Sequence, residues 1–154
     1  MKSWFIFCLM ASFLILSSSC GENVTPAKQA EIDKAKIEEY VAAEGLTGSF
    51  TASGLYVVIE SLGTGTEFPT SSSTLEIIYT GYLLDGTIFD SSGGFPASLP
   101  LNQLISGWQE GLKLYKKGGK GKLVIPSALA YGTQSRTGIP ANSVLVFDIE
   151  LLDF

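Results

Sequence analysis

The chain has 154 residues, a formal net charge of −5, two cysteines and no histidine. An acidic chain with scattered lysines is a poor candidate for nucleic-acid binding, which needs concentrated Lys and Arg. The lack of histidine removes Ser-His-Asp and Cys-His catalysis and most zinc sites.

The chain opens Met1-Lys2-Ser3, runs apolar over residues 4–16, and reaches Ser17-Ser18-Ser19-Cys20. A short positive start, an apolar run and a small-residue exit form a secretory signal. The run is shorter than the ~20 residues that cross a bilayer as a helix, so a transmembrane anchor is the weaker reading. Loss of residues 1–19 leaves about 135 residues, one charge unit more negative. That is enough for one domain with a modest core. Cys8 would go with the signal, so Cys20 would have no partner for an intramolecular disulfide. A lone thiol in an oxidising compartment is a liability unless it is used.

Residues 21–30 are polar and small, as suits a tether. Thr25-Pro26 reads as a helix start, with Thr as N-cap and Pro at the first helical position. Residues 27–44 are rich in Ala, Glu, Lys and Ile, and Ile37, Tyr40 and Val41 fall at i, i+3 and i+4. The spacing predicts a short amphipathic helix that docks either on its own domain or on a partner chain. Gly45 is a stop, and residues 45–53 read as a linker.

Residues 55–60 are rich in β formers, and Gly63-Thr64-Gly65 breaks them. Residues 69–73 form a loop. Residues 74–84 predict a strand with Leu75, Ile77 and Tyr79 on one face, followed by an Asp85-Gly86 turn. Trp108, Leu112 and Tyr115 at i, i+4 and i+7 predict a helix over 105–115, ended by Gly118-Gly119. Strands follow at 120–125, closed by Pro126, and at 144–152, where Leu145, Phe147, Ile149 and Leu151 alternate with Val144, Val146, Asp148 and Glu150. The lysines of 113–122 read as a solvated face. Several antiparallel strands and one short internal helix give an α+β domain.

Gly63-x-Gly65 lacks the third glycine and the strand–helix context of a dinucleotide loop. The carboxylates are too scattered to argue a glycosidase pair. What stands out is a series of aromatics beside Gly or Asp: Tyr79-Thr80-Gly81, Phe89-Asp90, Gly107-Trp108, Ala130-Tyr131-Gly132 and Val146-Phe147-Asp148. Such residues build a site that works by shape, burial and a few hydrogen bonds. Each also has a plainer reading: Trp108 and Phe147 as core, Tyr79 as a core tyrosine with a backbone partner, Asp90 as a turn residue, Tyr131 as loop packing.

In order and spacing these landmarks resemble the FK506-binding-protein (FKBP) class of peptidyl-prolyl isomerases, over residues 54–154. The resemblance implies an antiparallel twisted sheet wrapped around one short α-helix, and catalysis of X-Pro rotation without covalent or metal chemistry. It implies catalytic roles for Tyr79, Phe89, Asp90, Trp108, Tyr131 and Phe147. Leu104 and Ile105 would bind substrate, Ile105 through its backbone N–H, and Ile139 would cover the pocket. Phe95 and Leu99 flank Ala97 where some members carry a further pocket aromatic. No cofactor and no metal is expected. The expected partners are proline-containing polypeptides, FK506- or rapamycin-like macrolides, and a membrane reached through an N-terminal lipid.

The last expectation rests on Cys20, whose setting resembles the processing site of bacterial lipoproteins, with Ser17 at a position where an aliphatic is commoner. The implied organisation is a lipoprotein signal at 1–19, a lipid-attached tether and helix at 20–53, and an isomerase domain at 54–154. It would be anchored in the bacterial cell envelope and assist folding of exported proteins. The alternative is a non-catalytic module that holds proline-containing segments in the same pocket.

Overall fold

A computed structural model describes residues 24–154. The signal at 1–19 and Cys20 lie outside the described residues.

Helix α1 spans Pro26–Ala43. Thr25 caps it, its hydroxyl accepting from the Lys28 N–H at 3.3 Å. Gly45 ends it at φ 63°, with Gly45 N–H bonding to Ala42 C=O and Leu46 N–H to Val41 C=O. That pair of bonds is a Schellman closure, which needs the left-handed conformation that glycine adopts without strain.

Seven antiparallel strands follow: β1 (Ser49–Phe50), β2 (Tyr56–Ser61), β3 (Thr74–Leu83), β4 (Ile88–Ser91), β5 (Ala97–Pro100), β6 (Gly119–Ile125) and β7 (Leu145–Asp153). They form one sheet in the order β1-β2-β6-β7-β3-β4. β5 pairs with the first half of β3, and β4 with its second half. The Asp85-Gly86 turn closes the β3–β4 hairpin, with Gly86 at φ 85°.

The strand alternation sorts two apolar faces. Leu75, Ile77, Leu123, Ile125, Leu145, Phe147, Ile149 and Leu151 lie in one buried cluster with Trp108, Leu112 and Tyr115. Helix α2 (Ser106–Gly111) packs on this face. Tyr56, Val58, Val124 and Val146 point the other way and meet Ile37 of α1, with Tyr40 and Val41 beside it. The apolar stripe of α1 therefore docks on its own domain. Farther along the strands the same face is charged. Lys120 pairs with Glu150 at 2.8 Å and Lys122 with Asp148, each across the β6–β7 ladder, and Lys117 pairs with Asp153 at 2.6 Å.

Three sequence expectations need correction. The segment 45–53 is more than a linker: β1 lies in it, and Phe50 meets the Tyr56 ring edge-on at 5.0 Å. Two residues give no periodicity to detect. The helix expected over 105–115 is α-helical only to Gly111, then tightens into a 3-10 turn over Leu112–Leu114. Tyr115 leaves the helix in an extended conformation, and its hydroxyl donates to the Val58 carbonyl at 2.8 Å. Gly118-Gly119 does not end the helix; Gly118 is a turn residue and Gly119 the first residue of β6.

Candidate functional site

The cavity lies beside the start of α2, against Tyr79 of β3 and Phe147 of β7. It encloses about 320 Å³ and is lined by Tyr79, Asp90, Leu99, Gln103, Leu104, Ile105, Trp108, Tyr131 and Phe147. Three rings form its aromatic heart. Trp108 meets Tyr79 edge-on at 5.2 Å and Phe147 edge-on at 5.1 Å, and Tyr79 and Phe147 are 6.4 Å apart. Edge-to-face pairs of this kind are the favoured geometry for aromatic quadrupoles.

Glycines let these rings converge. Gly81 is the register partner of Asp90 on β4 and of Phe147 on β7. A Cβ on Gly81 would stand 2.6 Å from the Phe147 ring and 2.8 Å from the Phe89 ring. Gly107 plays the same part for α2, letting the helix settle against Ile125. Gly81 and Gly107 are thus sites of close approach, whereas Gly132 beside Tyr131 has open space around it and serves through its left-handed φ of 59°.

The polar groups are few. The Tyr79 hydroxyl donates to Asp90 Oδ2 at 3.0 Å, and Asp90 Oδ1 accepts the Ser91 N–H at 2.8 Å. Burial, and then the hydrogen bond to Asp90 and its charge, push the Tyr79 phenol up to about 12. It is therefore a neutral donor across the ordinary pH range. The Trp108 indole N–H is buried without an acceptor among the described residues. The hydroxyl of Tyr131 makes no hydrogen bond to the described residues, and the Arg136 guanidinium lies 5.4 Å from the centre of its ring. Ile105 is the residue before α2; its carbonyl accepts from Trp108 and Gln109, while its own N–H bonds to no described group. Gln109 donates to the Leu104 carbonyl at 2.7 Å and fixes the segment entering the helix.

The residues expected from the sequence converge with two differences. Tyr79, Asp90, Leu104, Ile105, Trp108, Tyr131 and Phe147 line one cavity. Phe89 and Ile139 do not line it. Phe89 packs edge-on against Phe147 at 5.5 Å, behind the lining, and Ile139 is buried in the main core cluster. Gln103 and Leu99 are lining residues to which no role had been assigned. Leu99 reaches the cavity from β5, whereas Phe95 is 76% exposed and outside it. Among the described residues no group of three His, Cys, Asp or Glu could hold a metal, and no helix is long and apolar enough to cross a membrane.

Residues 65–152 match the family model described as FKBP-type peptidyl-prolyl cis-trans isomerase. The chain is 49% identical over 131 residues to the FKBP-type isomerase FkpA of Aeromonas hydrophila, covering 81% of this chain and 48% of the relative. It is 44% identical over 142 residues to FkpA of Buchnera aphidicola subsp. Schizaphis graminum, covering 86% and 56%. The chain spans about half the length of the curated relatives it matches. Among solved structures, the crystal structure of FkpA from Escherichia coli superposes with a TM-score of 0.71 at 46% identity, covering 82% of this chain and 61% of the other. A peptidyl-prolyl cis-trans isomerase from Pseudomonas syringae pv. tomato gives a TM-score of 0.70 at 32% identity, covering 86% and 98%. Match, identity and superposition agree: the chain belongs to the FKBP-type peptidyl-prolyl cis-trans isomerase family.

Proposed function

We propose that the protein is a peptidyl-prolyl cis-trans isomerase that assists the folding of exported proteins from a lipid-anchored position in the bacterial cell envelope. The observation that carries the enzymatic part is the cavity itself, where Tyr79, Trp108 and Phe147 meet edge-on beside the unengaged Tyr131 hydroxyl.

Rotation about an X-Pro bond faces a barrier of ~20 kcal/mol and takes tens of seconds or longer unaided. In the twisted transition state the amide loses resonance and its carbonyl becomes less polar. A dry aromatic cavity favours that state over the planar, more polar ground states, and this is catalysis by differential binding. Trp108 forms the floor under the prolyl ring. Tyr79 and Phe147 form the walls, with Phe89 bracing Phe147 from behind. Asp90 holds Tyr79 through the 3.0 Å hydrogen bond. The Tyr131 hydroxyl and the Ile105 N–H donate to carbonyls of the substrate backbone, and Leu104 supplies apolar contact. Ile139 acts from the core, by supporting the cavity. Macrolides of the FK506 and rapamycin type are ligands for the same cavity.

The placement in the envelope rests on the leader of residues 1–19 and on Cys20 as the acylated residue. The exposed position of Phe95 favours one second reading, a module open on the Leu99 side that holds proline segments without turning them over. A proline-limited refolding assay separates the two. An isomerase accelerates the slow phase, and Tyr131→Phe weakens that acceleration about tenfold. A holding module binds a proline peptide with no acceleration. Mass spectrometry of membrane-extracted protein tests the anchor, and an unmodified Cys20 overturns it.

A further inference from the structure

Asp33 and Ser127 are the two buried polar residues among the described residues, and they are bonded to each other. Asp33 sits on α1, outside the segment 65–152 that matches the family. Its Oδ2 accepts both the Ser127 N–H at 2.8 Å and the Ser127 hydroxyl at 2.6 Å. Its Oδ1 accepts from the Gln29 side-chain amide at 2.7 Å. A buried carboxylate is costly unless its oxygens are satisfied. Apolar contacts alone would dock a helix; this pair of hydrogen bonds fixes one particular backbone position.

That position is the root of the segment carrying Tyr131. The Ser127 carbonyl accepts the Ala130 N–H at 3.0 Å and the Gly132 N–H at 2.9 Å, so both neighbours of Tyr131 hang from one oxygen. The Gly132 carbonyl in turn accepts the Asn142 N–H at 2.8 Å. The backbone here is non-repetitive: Ala130 lies at φ −118°, ψ −112°, and Gly132 at φ 59°. No ladder of secondary structure holds Tyr131: its carbonyl accepts the Gln134 N–H at 3.1 Å and its ring packs against the main core cluster, while the backbone on either side of it depends on these Ser127 and Gly132 bonds.

We infer that Asp33 is a positioning residue that aims the Tyr131 hydroxyl into the cavity by fixing Ser127, so that α1 is a working part of the site. The inference rests on the proposed isomerase reading of the cavity. Conservative change is informative, because an Asn at position 33 can accept from Ser127 with its oxygen and donate to a flipped Gln29 amide with its nitrogen.

The test uses the full chain in the refolding assay, with Asp33→Ala, Asp33→Asn and Ser127→Ala made alone and together with Tyr131→Phe. Asp33→Ala is expected to lower kcat/KM about tenfold, and Asp33→Asn to keep it within about twofold. In the Tyr131→Phe background Asp33→Ala is expected to add nothing, because the two act through one hydroxyl. Equal losses in both backgrounds, or no loss in either, overturn the inference. Should Asp33→Ala fail to fold, Ser127→Ala removes only the hydroxyl bond to Asp33 and is expected to give a smaller loss that likewise vanishes in the Tyr131→Phe background. Amide exchange gives an answer independent of activity. The Gly132 amide is expected to exchange faster in Asp33→Ala while β3 and β7 amides are unchanged; an unchanged Gly132 overturns the inference. If the parent protein shows no isomerase activity yet Gly132 responds, the functional reading fails and the positioning stands.

Discussion

The Tyr79 hydroxyl donates to the Asp90 carboxylate across 3.0 Å, tying β3 to β4 at the wall of the cavity. The bond keeps a phenol neutral and a ring in place. Burial is the larger cause of the raised ionisation, which lies near 12, and Asp90 adds to it. Asp90→Asn is therefore expected to lower the Tyr79 ionisation while leaving it above the ordinary value of about 10. The sign for stability follows by linkage. The folded state holds this proton more tightly than the unfolded chain does, so the contribution is complete below pH ~10 and is lost as pH rises from there through about 12. NMR titration of the Tyr79 ring reads the first effect, and denaturant melts from pH 8 upward read the second. A Tyr79 that titrates at the ordinary value in the parent protein contradicts both.

Tyr131 makes the cleaner functional prediction. Its hydroxyl bonds to no described residue, so its removal breaks nothing in the fold. Tyr131→Phe is expected to leave the melting temperature unchanged. It is expected to reduce kcat/KM about tenfold, the worth of one hydrogen bond of ~1.4 kcal/mol made to substrate. Calorimetry beside a peptide isomerisation assay separates the two readouts. A stability loss without an activity loss places the hydroxyl in the fold and not in the reaction.

The strands with strict alternation were legible in the sequence, and the edges were not. β3 and β7 pattern their apolar residues at period two because one face is buried under α2. The short strands β1, β4 and β5 are edge or near-edge elements of two to four residues, and Pro100 ends β5. Pairing with β3 makes β4 and β5 strands, and no local signal carries that. The site was legible because it is made of rare residue types beside glycines. Its second layer was hidden. The Asp33–Ser127 bond joins residues 94 apart in the chain, and both read locally as ordinary polar positions. Gln103 has no pattern of its own either, since it reaches the cavity from a single 3-10 turn over Leu101–Gln103, too short for periodicity.

Gly81→Ala tests whether Gly81 is a site of close approach between rings. The new methyl group would meet the Phe147 and Phe89 rings at 2.6 and 2.8 Å, and Phe147 is already wedged against Trp108 and Tyr79. The rings must shift, at an expected cost of about 1–3 kcal/mol, as for other overpacked cores. Because Phe147 lines the cavity, isomerisation is expected to fall with stability. Phe89→Leu in the same chain opens space beside the methyl and is expected to restore part of the stability. Urea melts of the two single variants and the double variant check this. A Gly81→Ala protein as stable as its parent shows that the rings give way freely.

Tyr115 supplies the opposite case, a polar aromatic that serves the fold alone. Its side chain is wholly buried, its hydroxyl donates to the Val58 carbonyl at 2.8 Å, and it does not line the cavity. Burial, with the nearby Glu60 charge, pushes its ionisation above the ordinary phenol range. Tyr115→Phe leaves the Val58 carbonyl without that donor in the core, at an expected cost of about 1–3 kcal/mol. Activity measured well below the melting transition is expected to be unchanged, since α2 is held on its cavity side by Gly107 against Ile125. Tyr115→Phe and Tyr131→Phe remove the same atom from the same residue type, and their effects should be mirror images: stability without activity, and activity without stability. Urea melts and isomerisation assays on the pair decide it, and a loss of both properties in both variants would mean that the cavity and the core are not separable.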